Sequence, residues 1–181
     1  MRPFVKPAAM CEPAKTVLFE ETQRWSPAFR AFLSIPSVAA AVICAVLVLR
    51  GPIDPAGRAM IAACGVVIPL ALAVLLWVVR METQVCADGV YVRYFPFHWR
   101  FRHLPALDLD QCFARTYRPI LEYGGWGIRW GFGGRAYNIR GNQGVQLVFR
   151  NGRRLLLGSG RPRELEAAIR SVSGCRGQSS S

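Results

Sequence analysis

The chain has 181 residues, 23 Lys and Arg against 11 Asp and Glu, a net charge of +12 and a hydrophobic fraction of 52%. That length holds one or two modest domains, and the hydrophobic fraction with its positive mean hydropathy argues against a chain lying wholly in water. The basic balance points to anionic partners such as a membrane surface or nucleic acid, and says nothing about fold.

Residues 1–30 place Leu18, Phe19, Trp25 and Phe29 among charges and end at an apolar run. Two readings are open: an interfacial helix on the cytoplasmic leaflet, or a partly ordered tail with Trp25 as an aromatic belt residue. Glu12, Glu20, Glu21 and several prolines argue against a cleaved signal peptide.

Ala31–Leu49 and Ala59–Val79 carry no charged residue, and at about 1.5 Å per residue each reaches roughly 30 Å, a hydrocarbon thickness. Arg30 and Arg50 bracket the first run and Arg58 and Arg80 the second, where long side chains reach toward headgroups. Pro36 and Pro69 lie inside, and Ala41, Ala45, Ala59 and Ala63 offer small surfaces for helix contact. Gly51–Gly57 (GPIDPAG) is a tight turn, so residues 31–79 read as a two-helix transmembrane hairpin. Lys and Arg number five in residues 1–30, two in Arg50–Arg58 and sixteen from Arg80 onward. The positive-inside bias then predicts a cell (inner) membrane protein with both termini cytoplasmic.

Cys44 and Cys64 fall in the spans, and Cys11, Cys86, Cys112 and Cys175 are scattered on the side this topology makes reducing. No disulfide framework is expected. His98 and His103 stand near no cysteine at ligand spacing, so neither a metal nor another cofactor is expected.

From residue 80 the texture turns to short alternating runs. Met81–Ala87 and Val90–Phe95 flank the hairpin signal Asp88-Gly89. Phe101–Leu104, Leu107–Tyr117, Trp126–Trp130, Arg135–Arg140, Val145–Arg150 and Arg153–Leu157 follow, the last two joined by Asn151-Gly152. Arg161–Val172 switches to helical period, with Leu165, Ala168, Ile169 and Val172 in one stripe. Gly174 stops it, and the polar tail 174–181 has no reason to order.

Glu122–Asn138 (EYGGWGIRWGFGGRAYN) holds six glycines, but neither G-x-G-x-x-G opening a helix nor a Walker spacing occurs, which excludes the familiar phosphate loops. Read as a strand, it puts Trp126, Ile128 and Trp130 on one face, filling a small barrel, and Arg129 between Gly127 and Gly131 on the other. Arg118, Glu122 and Arg129 form the polar set of interest, with Glu122 in reach of either arginine. A fixed ion-pair network is one reading, and a ligand site that adds Tyr117 and Asn138 is the other. No Ser-His-Asp or Cys-His arrangement occurs, and Asp108 and Asp110 read as solvent-facing, so no catalytic residue is assigned.

Residues 81–181 hold fifteen arginines, no lysine and seven acids. Arg93, Trp99, Arg100 and Arg102 in RYFPFHWRFR mix arginine with aromatics, as an edge touching anionic headgroups would. A core with a solvated rim explains the same stretch, and no recognition motif supports nucleic-acid binding.

The segments TYRPI (Thr116–Ile120), EYGGWGIRWG (Glu122–Gly131) and AYNIRGNQGVQL (Ala136–Leu147), after a two-helix hairpin, resemble an uncharacterised bacterial family of short membrane proteins. The resemblance covers roughly residues 16–172. It implies a membrane α-helical hairpin plus a mainly-β domain over residues 80–173, similar to a pleckstrin-homology (PH)-like split barrel of about seven strands closed by a C-terminal helix. It brings no established activity. The expected function is a membrane-anchored binding or scaffold module that contacts anionic lipid, a membrane protein partner or a second copy. The alternatives are an accessory subunit of a membrane complex, and an enzyme acting on a small anionic or lipid substrate through Arg118, Glu122 and Arg129.

Overall fold

The computed structural model describes residues 6–8, 16–51, 54–131 and 133–177. Residues 1–5 and 9–15 of the N-terminal segment, Cys11 included, and the last residues of the polar tail lie outside the described residues. The chain divides into two compact units, Trp25–Val79 and the remainder.

In the first unit, α1 (Pro27–Arg50) starts at Ser26, whose hydroxyl accepts from the Phe29 N–H at 3.2 Å, with Pro27 in the first turn. The second arm runs through α2 (Pro55–Ile61), a wide turn Ala62–Val67 and α3 (Ile68–Val78). In that wide turn Ile68 N–H donates to the Ala63 carbonyl, directly before Pro69, which has no N–H to continue a regular ladder. Both 24-residue arms are long and apolar enough to cross a membrane, and only 6% of the most apolar window of each is buried. Core helices of a soluble protein would be mostly covered, since exposed apolar surface costs about 25 cal/mol per Å² in water.

The arms pack through Ala41 and Ala73, which are buried, and through Gly65, where an added Cβ would lie 2.6 Å from the Cys44 sulfur. Ala59 and Ala63, expected at this contact, are exposed. At the end where the chain enters and leaves, Arg30 lies over the Trp77 ring at 4.5 Å and the Trp77 indole donates to Ser34 at 3.1 Å.

The second unit contains two sheets. One is the antiparallel meander β2 (Val17–Arg24), β3 (Arg80–Cys86), β4 (Gly89–Phe95) and β5 (Phe101–Pro105), extended by short β1 (Lys6–Ala8) against β5. The other has the order β6 (Leu109–Thr116), β9 (Gln143–Phe149), β10 (Arg154–Gly158), β8 (Gly134–Asn138) and β7 (Gly127–Gly131). Its pairings are antiparallel except β8 with β10. The sheets do not close into a barrel. Helix α5 (Pro162–Ser173) touches strands of both and buries Leu165 and Ile169.

Three expectations change. Residues 17–24 are strand, not interfacial helix: Phe19 and Gln23 are buried, Gln23 donates to the Gly158 carbonyl at 2.8 Å, and Glu21 accepts from Ser159 and from the Gly160 N–H. The tryptophans do not fill a barrel, because β7 is an edge strand and Trp130 is 72% exposed. A disulfide is present: Cys112 and Cys175 are bonded across 63 residues. There the segment after α5 runs beside β6, with Cys112 N–H donating to the Arg176 carbonyl and Arg176 N–H to the Asp110 carbonyl, both at 3.0 Å. Cysteine spacing carries no trace of this, because the return of α5 brings the two together. Cys86 is disulfide-bonded as well.

Candidate functional site

The residues expected to form one site are separated by the local folding of 116–138. β6 ends at Thr116, Tyr117 turns inward, and Pro119 opens the short helix α4 (Pro119–Tyr123). Gly124 closes it in the left-handed conformation at φ 70°, a geometry that favours glycine. One turn of helix brings Glu122 back over β6. There its carboxylate accepts from the Arg115 guanidinium at 2.8 Å and from the Arg118 N–H at 2.7 Å.

Glu122 is therefore partnered by Arg115, and by the backbone rather than the guanidinium of Arg118. Arg115 also donates to the Tyr123 hydroxyl at 3.0 Å. Burial pushes the Glu122 carboxyl up, but the Arg118 N–H and the Arg115 guanidinium outweigh it and hold the group below its ordinary value. Arg118 is exposed, its guanidinium acting on Glu122 through its charge without a hydrogen bond among the described residues. Arg129 is exposed too, donating only to the Trp126 carbonyl at 3.2 Å. Among the described residues it pairs with no carboxylate.

Tyr117 and Asn138 are both buried. Asn138 donates to the Tyr117 hydroxyl at 3.0 Å and accepts from the Gly127 N–H at 2.8 Å, tying β6, β8 and the start of β7 together. These are structural bonds, and they use groups that a ligand would need.

Strand period, which sets Gln111, Phe113 and Arg115 on one face of β6, is the signal that could have found Arg115. With Gln146, Val148 and Arg154 these residues line an open trough of about 480 Å³ beside Glu122. The Arg115 Nε is buried there without an acceptor. The trough offers hydrogen-bond donors and one carboxylate already paired, and no Ser-His or Cys-His set lines it. Among the described residues no cluster of His, Cys, Asp and Glu is able to hold a metal ion.

The aromatic and arginine edge also divides. Arg93 turns inward, its Nε 2.8 Å from a Glu82 oxygen and its guanidinium over the Phe101 ring at 4.5 Å. Arg102 donates to the Tyr137 hydroxyl at 3.2 Å. Trp99 is 76% exposed, with the Phe95 ring edge-on to it at 5.5 Å, and Arg100 is exposed. Phe97, not singled out by sequence, is 60% exposed in the same β4–β5 turn.

No curated protein and no solved structure matches the chain. A family of unknown function, DUF6141, matches residues 45–175, from the second half of α1 to the disulfide after α5, and the chain belongs to that family.

Proposed function

We propose that the protein is a membrane-anchored binding module whose β unit meets an anionic leaflet through the β4–β5 turn. The observation that carries this reading is the exposure of Phe97, Trp99 and Arg100 on one turn. Two aromatic rings beside an arginine suit a headgroup layer, where the rings enter the interface and each basic residue adds about 1 kcal/mol. The apolar hairpin, uncovered along both arms, supplies the anchor.

The strand-rich order ending in a helix that touches both sheets supports kinship with the PH-like folds, although the parallel pairing of β8 with β10 departs from a simple meander. The arginine count supports a bacterial inner membrane with the β unit in the cytoplasm. The Cys112–Cys175 bond favours the opposite orientation, because such bonds persist in oxidising compartments.

The accessory-subunit reading draws on α4, where Ile120 and Leu121 are 66% and 71% exposed. The enzyme reading loses its free carboxylate to Arg115.

Vesicle flotation tests the proposal on the β unit freed of its hairpin, with phosphatidylglycerol vesicles against phosphatidylcholine. Binding should require the anionic lipid, weaken with salt and fall several-fold in Trp99→Ala and Arg100→Gln. Binding indifferent to lipid charge and to both substitutions would overturn it.

A further inference from the structure

Tyr137, buried on β8, is surrounded by hydrogen-bond donors and cations. The Arg102 guanidinium donates to its hydroxyl at 3.2 Å. Arg135 lies over its ring at 5.0 Å and over the Trp130 ring at 4.6 Å. His98, on the turn after β4, meets the ring edge-on with centroids 6.0 Å apart.

The cluster has more donors than acceptors and contains no carboxylate. Arg135 donates no hydrogen bond among the described residues, and its Nε is buried without a partner. The His98 ring likewise has no hydrogen-bond partner among them. Burial pushes the Tyr137 phenol up against the opposing pull of Arg135 and Arg102, so its O–H stays protonated and free to donate. The carboxylates of the neighbouring sheet are engaged elsewhere, Glu20 by Gln84, Glu21 by Ser159, Glu82 by Arg80 and Arg93, and Asp88 by Tyr91.

Electrostatics agree with the geometry. Burial first, then the Arg102 and Arg135 charges, lower His98 to about 4, and burial lowers Arg135 as well. The ionisable groups acting on these two are Arg102, Arg135 and Tyr137, with no carboxylate among them. Tyr94, raised by burial to about 12 and eased by Arg129, adds no negative charge from β4. A guanidinium Nε buried without an acceptor, as in Arg135, costs free energy that an incoming anion recovers.

We propose that Arg102, Arg135, His98 and Tyr137 form a binding site for a phosphate-type oxyanion, supplied either as free phosphate or as a phosphomonoester lipid headgroup. Two guanidiniums offer forked donors to adjacent oxygens, while the phenol and the imidazole supply single donors. The half-exposed arginines and His98 leave the cluster open to solvent. The site stands apart from the leaflet reading, since a soluble anion fits it equally.

The test follows the His98 ring protons by NMR in the intact protein in neutral detergent, titrated with inorganic phosphate against chloride at equal ionic strength. Bound anion favours the imidazolium, so the His98 midpoint should rise by about one unit, saturably. Arg102→Gln and Arg135→Gln should lose most of the rise, and the exposed Arg118→Gln should keep it. Tyr137→Phe, which removes only the hydroxyl, should weaken binding several-fold if the arginine variants fold poorly. Nanodiscs of phosphatidate against phosphatidylglycerol distinguish the sources: a response to phosphate alone assigns the free anion, and a further response to phosphatidate assigns the headgroup. A His98 midpoint unmoved by both, or lost equally in Arg118→Gln, would overturn the site.

Discussion

Arg24 and Arg80 are paired across β2 and β3, so the apolar hairpin is inserted where a β-turn would otherwise join two neighbouring strands. The β unit is therefore discontinuous in sequence, and its two cut ends are one strand spacing apart, about 5 Å. Replacing residues 25–79 with a turn of about four residues should leave a soluble β unit that folds cooperatively. Thermal melting followed by circular dichroism checks this. A non-cooperative melt would mean that the hairpin contributes to folding as well as to anchoring.

The same relationship explains what the sequence hid. Strands β3 to β10 are legible because each is a short run rich in aliphatic, β-branched or aromatic residues bounded by glycine, asparagine or proline signals. β2 is not, because VLFEETQR mixes charges with apolar residues and its partner lies beyond the whole hairpin. α4 has five residues, too few for a helical period to register. The candidate site suffered from that omission: a loop between Tyr117 and Gly124 leaves Glu122 in reach of Arg118 or Arg129, whereas one helical turn aims it at Arg115.

Glu122→Gln should cost about 1 kcal/mol at neutral pH, the value of a half-exposed ion pair joined to a backbone hydrogen bond. The carboxyl is depressed in the folded state. Its contribution is thus fully present above the unfolded value of about 4.3 and is lost as pH falls through the lower folded value. Denaturant unfolding of both proteins across that range should show the gap closing in acid. A gap that persists there would assign the loss to packing rather than charge.

Close backbone approach demands glycine twice in the tryptophan segment, at Gly134 against the Arg154 carbonyl and most tightly at Gly131. A Cβ there would lie 2.0 Å from the Glu122 carbonyl oxygen and 2.9 Å from the Tyr123 ring. Gly131→Ala should therefore push α4 off β7 and destabilise by about 1–3 kcal/mol. Gly125→Ala meets no neighbour within 4 Å, but its φ of 122° strains any side chain. Amide exchange separates the two: the first should deprotect α4 and β7 together, the second only the turn.

The Cys112–Cys175 bond closes a loop of 63 residues and fixes the segment that follows α5 against β6. Cys112→Ser should lower stability by about 2–4 kcal/mol, and reductant, which also opens the bond at Cys86, should lower the variant less than the parent. Both effects are expected even though the flanking backbone bonds at Cys112 and Arg176 remain available to hold the segment. The redox state in cells then reports orientation. With the β unit in the cytoplasm, as the arginine count proposes, both thiols should be free to alkylate in cells lysed directly into reagent. A bond already formed in those lysates would place the β unit on the oxidising side and reverse the orientation, without altering the pairing that the fold imposes.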